Sequence, residues 1–109
     1  MQRMGWVIRL RHENVAEYKA LHAAVWPEVL ATIRRCGVRN YTIYLREPEN
    51  LLFAHFEYHG NDYAADMARM AQDEATRRWW ALTEPCQVGF ESRRQGEWWV
   101  PMTEVFHSD

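Results

Sequence analysis

Between Asn40 and Tyr58 the sequence doubles back on itself, and that reversal limits the folds open to the chain more than any other feature. Asn40-Tyr-Thr-Ile-Tyr-Leu45 alternates Tyr41, Ile43 and Leu45 against Thr42 and Tyr44, the period of a strand with one buried face. Glu47-Pro-Glu-Asn50 is a turn, and Leu51-Leu-Phe-Ala-His-Phe-Glu-Tyr58 reads as the returning strand of a hairpin. Each flank of the hairpin adds helix and strand. Upstream, residues 5–10 (Gly-Trp-Val-Ile-Arg-Leu) read as a strand with Trp6, Ile8 and Leu10 on one face. Asn14 then opens a helix, with Glu17 three residues on as the partner of a capping box. Val15, Tyr18, His22, Val25 and Val29 form one helical stripe. Pro27 has no N–H to offer the carbonyl of Ala23, so the helix kinks or restarts near Trp26-Pro27, and Gly37 is placed to end it as a left-handed cap. Downstream, Asp62 caps a helix whose Tyr63, Met67 and Met70 share a face. A second helical segment over about 73–83 carries Trp79-Trp80, the stretch from Pro85 to Gly96 is polar and loop-like, and a last strand runs from roughly Val100 to Phe106.

The resulting order, β-α-β-β-α-β, is that of the ferredoxin-like α+β unit, a four-stranded antiparallel sheet with both helices on one face. At 109 residues the chain falls below the roughly 150-residue prior for one domain, so residues 1–109 are expected to form a single domain. Helices on one face leave the other uncovered, and pairing two copies through it is the economical solution; a homodimer is expected.

Charge and motifs remove several classes of function. Thirteen basic and fifteen acidic residues leave a net charge of −2, which argues against a nucleic-acid binder. No apolar run approaches the ~18 residues of a membrane span, and the first residues lack the apolar core of a signal peptide; a cytoplasmic protein without membrane partners is expected. Cys36 and Cys86 stand alone, with no C-x-x-C, and read as buried or partly buried free thiols. His55 and His59 resemble a ligand pair, but on a strand rising ~3.3 Å per residue they lie about 13 Å apart, too far to share one ion, so no metal site is expected. No nucleotide or haem signature occurs either, and no cofactor is expected. The pairs Arg34-Arg35, Arg77-Arg78 and Arg93-Arg94 read as solvated surface.

What remains is an excess of aromatic residues, 14% of the chain with six Trp, more than so small a core can cover. Some of them should line a pocket. His22 lies four residues after Tyr18 and four before Trp26, which stacks all three on one side of a helix. An imidazole exchanges protons at neutral pH, and Tyr18 could position a substrate hydroxyl beside it, although a half-buried histidine held by a backbone carbonyl would look the same. Adjacent indoles such as Trp79-Trp80 diverge by about 100° on a helix, so one can enter the core while the other faces a groove. Trp98-Trp99 repeats the pairing. An indole face suits the C–H face of a sugar ring.

Tyr18-x-x-x-His22, Val25-Trp26-Pro27-Glu28, Asn40-Tyr41-Thr-Ile-Tyr-Leu45, Asn50-Leu-Leu-Phe53, Arg78-Trp79-Trp80 and Glu104-Val-Phe106 together resemble the L-rhamnose mutarotase family, in the same order over nearly the whole chain. The resemblance implies a dimeric α+β barrel of ferredoxin-like subunits. It also implies an isomerase that interconverts the α and β anomers of a 6-deoxy-L-hexose, with L-rhamnose first, without a cofactor. It implies His22 as the proton donor in ring opening, and Tyr18, Tyr41, Trp79 and Trp80 as the sugar-binding residues. Ala23-Ala24 stands where many relatives have Asn-Pro, and the tail from Gln87 to Trp99 looks closer to members linked to L-fucose, which makes L-fucose the alternative sugar. Two readings from other classes stand beside it: a cofactor-free monooxygenase on the same dimeric barrel, and a sugar-binding module without turnover.

Overall fold

The computed structural model describes residues 1–109. Three long strands form the sheet: β1 (Gln2–Leu10), β2 (Val38–Arg46) and β3 (Leu51–Tyr58). β3 lies in the middle of these, antiparallel to both β1 and β2. Helices α1 (Val15–His22) and α2 (Pro27–Arg35) join β1 to β2, and α3 (Tyr63–Gln72) and α4 (Glu74–Thr83) follow β3. The far edge of β1 is taken by two short strands, β4 (Gln87–Val88) and β5 (Val100–Pro101). The order β2-β3-β1-β4 is the ferredoxin-like one, and the helices cover one face.

The fourth strand position is where the sequence reading needs correction. Within the stretch expected to be loop, Gln87 and Val88 pair with Leu10 and Arg9. Val100 and Pro101 then pair with Val7 and Trp6, so one strand position is shared by two fragments with residues 89–99 looped out between them. The strand expected to reach Phe106 stops at Pro101, which has no N–H for a ladder. Only one further bond, from the Met102 N–H to the Gly5 carbonyl at 2.8 Å, continues the pairing.

Pro27 restarts the helix rather than kinking it: it occupies the first turn of α2, where a missing N–H costs nothing, behind an extended Trp26. Asp62 caps α3 as expected, its carboxylate accepting from the Ala65 N–H at 3.1 Å. Asn14 does not complete a capping box. A 3₁₀ turn over His12–Asn14 precedes α1, and the Asn14 amide donates to the Glu17 carboxylate at 2.9 Å instead of accepting from the backbone. Gly37 ends α2 at φ +86°, with the Gly60 backbone and Tyr58 ring so close that a Cβ would crowd them.

Ile8, Leu10, Leu52 and Tyr18 form the core between sheet and α1, and Val29, Ala75 and Trp79 form a second cluster between α2 and α4. Cys36 and Cys86 are buried free thiols. One irregularity in β2 matters for function. Val38 faces the core, yet so does the odd-numbered series Tyr41, Ile43 and Leu45, which simple alternation forbids. A register shift between Arg39 and Thr42, with Asn40 at φ +52°, supplies the extra residue and turns Tyr41 inward.

Candidate active site

The concave helix-covered face of the sheet does not close fully. It leaves a cavity of about 440 Å³, in the range of small-ligand clefts, lined by fourteen hydrophobic residues among nineteen. β1 contributes Trp6, β2 contributes Tyr41 and Ile43, and β3 contributes Phe56. The helices add Tyr18 and His22 from α1, Met67 and Met70 from α3, and Trp79 and Trp80 from α4. Trp98 and Trp99, on the looped-out segment, complete the wall. All five residues singled out in the sequence, Tyr18, His22, Tyr41, Trp79 and Trp80, therefore border one space.

His22 is held from three sides. Its ring stacks on Tyr18 at 4.2 Å between centroids, and Trp79 meets its edge at 5.4 Å. Nδ1 lies 2.9 Å from the backbone carbonyl of Tyr18. A carbonyl only accepts, so Nδ1 carries the hydrogen, and in the neutral ring Nε2 keeps a bare lone pair. Burial pushes the imidazole pKa below its ordinary 6.5, against a smaller opposing pull from the Tyr18 carbonyl. The resting residue is thus neutral at pH 7. Nε2 has no protein partner and is not sealed off, so a ligand in the cavity can reach it.

The two indoles of α4 have separate duties. Trp79 is 6% exposed and wedges between His22 and Trp26, the latter at 5.2 Å and nearly perpendicular. Trp80 is half-buried and lies on the cavity wall. Tyr41 remains partly open to solvent at the rim, its ring 5.4 Å from Phe56. His55 and His59 take no part in the cavity: His59 bonds to the Glu57 carboxylate at 2.9 Å.

One residue of the site had no local signal in the sequence. Gln87, in a stretch read as loop, is 4% exposed and donates through Nε2 to the Tyr18 hydroxyl at 3.1 Å, while its Oε1 accepts from Trp98 Nε1 at 2.7 Å. The partners are 69 and 11 residues away, beyond the reach of any periodicity argument. Burial also pushes the Tyr18 phenol pKa upward, so it stays protonated.

A family model described as L-rhamnose mutarotase matches residues 3–108. The chain belongs to the L-rhamnose mutarotase family. Among curated members of that family it is 31% identical to the L-rhamnose mutarotase of Bacteroides thetaiotaomicron over 110 residues, covering all of both chains. It is 28% identical to that of Oceanobacillus iheyensis, again over the full length of both. The crystal structure of an L-rhamnose mutarotase from Formosa agariphila superimposes with a TM-score of 0.79 over all of both chains at 24% identity, which shows the shared fold.

Proposed function

We propose that this protein is an isomerase that interconverts the α and β anomers of L-rhamnose by opening and reclosing the pyranose ring. The observation that carries the reading is His22: in a chain of this family, a neutral imidazole with Nδ1 tied back and Nε2 free borders an aromatic cavity of sugar size. The anomeric hydroxyl oxygen and the ring oxygen are bonded to the same carbon, so one imidazole can serve both. Nε2 takes the proton of the anomeric hydroxyl as the bond from C1 to the ring oxygen breaks. The imidazolium so formed gives that proton to the ring oxygen, leaving a neutral open-chain aldehyde. Rotation about C1–C2 presents the other carbonyl face, and the two transfers run in reverse. The half-buried Trp80, and Tyr41 at the rim, supply apolar faces for the deoxy methyl group and the ring C–H groups, and Tyr18 orders an oxygen.

The test is saturation-difference NMR of anomer exchange with L-rhamnose, L-fucose and D-glucose. Exchange is expected to accelerate for L-rhamnose and to be weak for D-glucose, whose hydroxymethyl would meet apolar walls without a partner. Equal acceleration of all three would remove the 6-deoxy reading, and none at all would remove catalysis. A monooxygenase of the same fold is the weaker alternative, because the family match runs through the whole chain.

The working unit in this reading is a homodimer in the cytoplasm. On the sheet face away from the helices, Tyr44, Phe53, Val7 and Val100 stand opposite one another across four strands as an apolar row, and Tyr44 is 65% exposed. Val105 and Phe106 of the tail are also largely exposed. A second copy would cover this surface. Sedimentation velocity is expected to report about twice the 13.1 kDa chain mass, with Tyr44→Arg shifting the species toward monomer. A wild-type protein that sediments as a monomer at tens of micromolar would refute the dimer.

A further inference from the structure

Three side chains from distant parts of the sequence make a hydrogen-bonded chain whose direction can be read without ambiguity. It begins at Trp98, whose indole nitrogen can only donate. Its 2.7 Å bond to Gln87 therefore fixes which end of the amide is oxygen, and the other end, the NH₂, must face Tyr18. Nε2 donates to the phenol oxygen at 3.1 Å, at two residues that are 4% and 5% exposed. The Gln87 backbone cannot drift, because it is paired with Leu10 of β1. Tyr18 thus has its accepting side occupied by the protein, while no protein group takes its own hydrogen and the residue borders the cavity.

We propose that Gln87 is a positioning residue that turns Tyr18 into an obligate hydrogen-bond donor toward the ligand, with Trp98 setting the polarity of the chain. The inference rests on the sugar-isomerase reading of the cavity and adds a specific element to it: Tyr18 meets a lone pair of a sugar oxygen, not a sugar O–H. Because burial keeps the phenol protonated, Tyr18 gives a hydrogen bond and keeps its proton, leaving proton transfer to His22. The two upstream members of the chain come from β4 and from the segment 89–99 looped out beside it. Trp98 on that segment thereby contributes to the polarity the ligand meets as well as to the cavity wall.

Gln87→Glu tests the polarity directly, since it preserves shape and reverses direction. The new carboxylate accepts from Trp98 and from Tyr18, turning the phenol's lone pairs into the cavity. At pH 8 the dissociation constant for L-rhamnose, followed by tryptophan fluorescence, is expected to rise about 10-fold or more, with KM changing by more than kcat. As pH falls and the new carboxyl takes a proton, it can donate to Tyr18 as the amide did, and affinity is expected to return toward the wild-type value. A residue that merely fills space would give no such recovery. Trp98→Phe, which removes the donor that orients the amide, should weaken binding by about 3-fold and keeps the question open to test if the first variant folds poorly. Wild-type turnover of L-rhamnose combined with unchanged affinity in the folded variants would overturn this inference alone. A wild-type protein that neither binds nor turns over L-rhamnose or L-fucose would overturn the sugar reading and this inference with it.

Discussion

Replacing His22 with alanine is expected to slow anomer exchange by about 10²–10⁴-fold while the fold persists, the range that a positioned proton-transfer group supplies. The ring is half-buried and stacked rather than central to any of the three core clusters, so its loss removes the chemistry before it removes the structure. Asparagine at the same position should fare no better, because an amide cannot titrate. The pH profile adds a second check on the same residue. The active resting form is the neutral imidazole, and burial lowers its pKa, so kcat/KM should be flat above pH 7 and fall on the acid side with a midpoint below 6.5. An imidazole that began as the protonated acid would give the opposite slope, with activity falling as pH rises. NMR exchange rates for the variant and the wild type across pH 5–9 decide both points. A His22→Ala protein that unfolds easily yet exchanges anomers at the normal rate per folded molecule would assign His22 a structural role only.

Trp79→Ala is expected to cost about 3–5 kcal/mol of folding stability, near the limit of what one core substitution does. The indole is 6% exposed and packs among Val29, Ala75 and Trp26 on one side and His22 on the other. Its removal leaves a cavity that rigid helices cannot fill. It also frees the edge of the imidazole, so activity per folded molecule should drop as well. Trp80→Ala provides the contrast: this half-buried ring should cost much less stability and mainly weaken sugar binding. Urea denaturation of the two variants separates them, and a Trp79→Ala protein within about 1 kcal/mol of wild type would show that the second core cluster does not depend on it.

The order of strands and helices was legible because it rests on local periodicity. Alternation at Asn40–Leu45 and Leu51–Tyr58, the three- and four-residue spacing from Val15 to His22, the cap at Asp62 and the left-handed position at Gly37 each follow from contacts within a few residues, whereas Val25 falls in the break between α1 and α2. The same locality brought Tyr18 and His22 into one stack, since four residues on a helix make one turn. Which of Trp79 and Trp80 enters the core was not legible, because a helix separates them by angle without saying where its neighbours lie.

Where local preference is weak, the tertiary structure decided. Gln87-Val88 is too short to announce itself as a strand, and the strand expected from Val100 stops at Pro101; both pair where they do because the free edge of β1 offers backbone groups that need partners. The bulge at Asn40, which lets Val38 share the inward face with Tyr41, Ile43 and Leu45, has no signal in the alternation. The protonation state of His22 depends on a carbonyl and on the depth of its burial, neither of which a residue name carries. The sequence by itself determined the three long strands, the helices and the histidine in its aromatic setting, because those follow from spacing along the chain. Gln87, its partners and the direction of their hydrogen bonds came only from the fold, because a buried polar group takes whatever partner three-dimensional packing brings within reach.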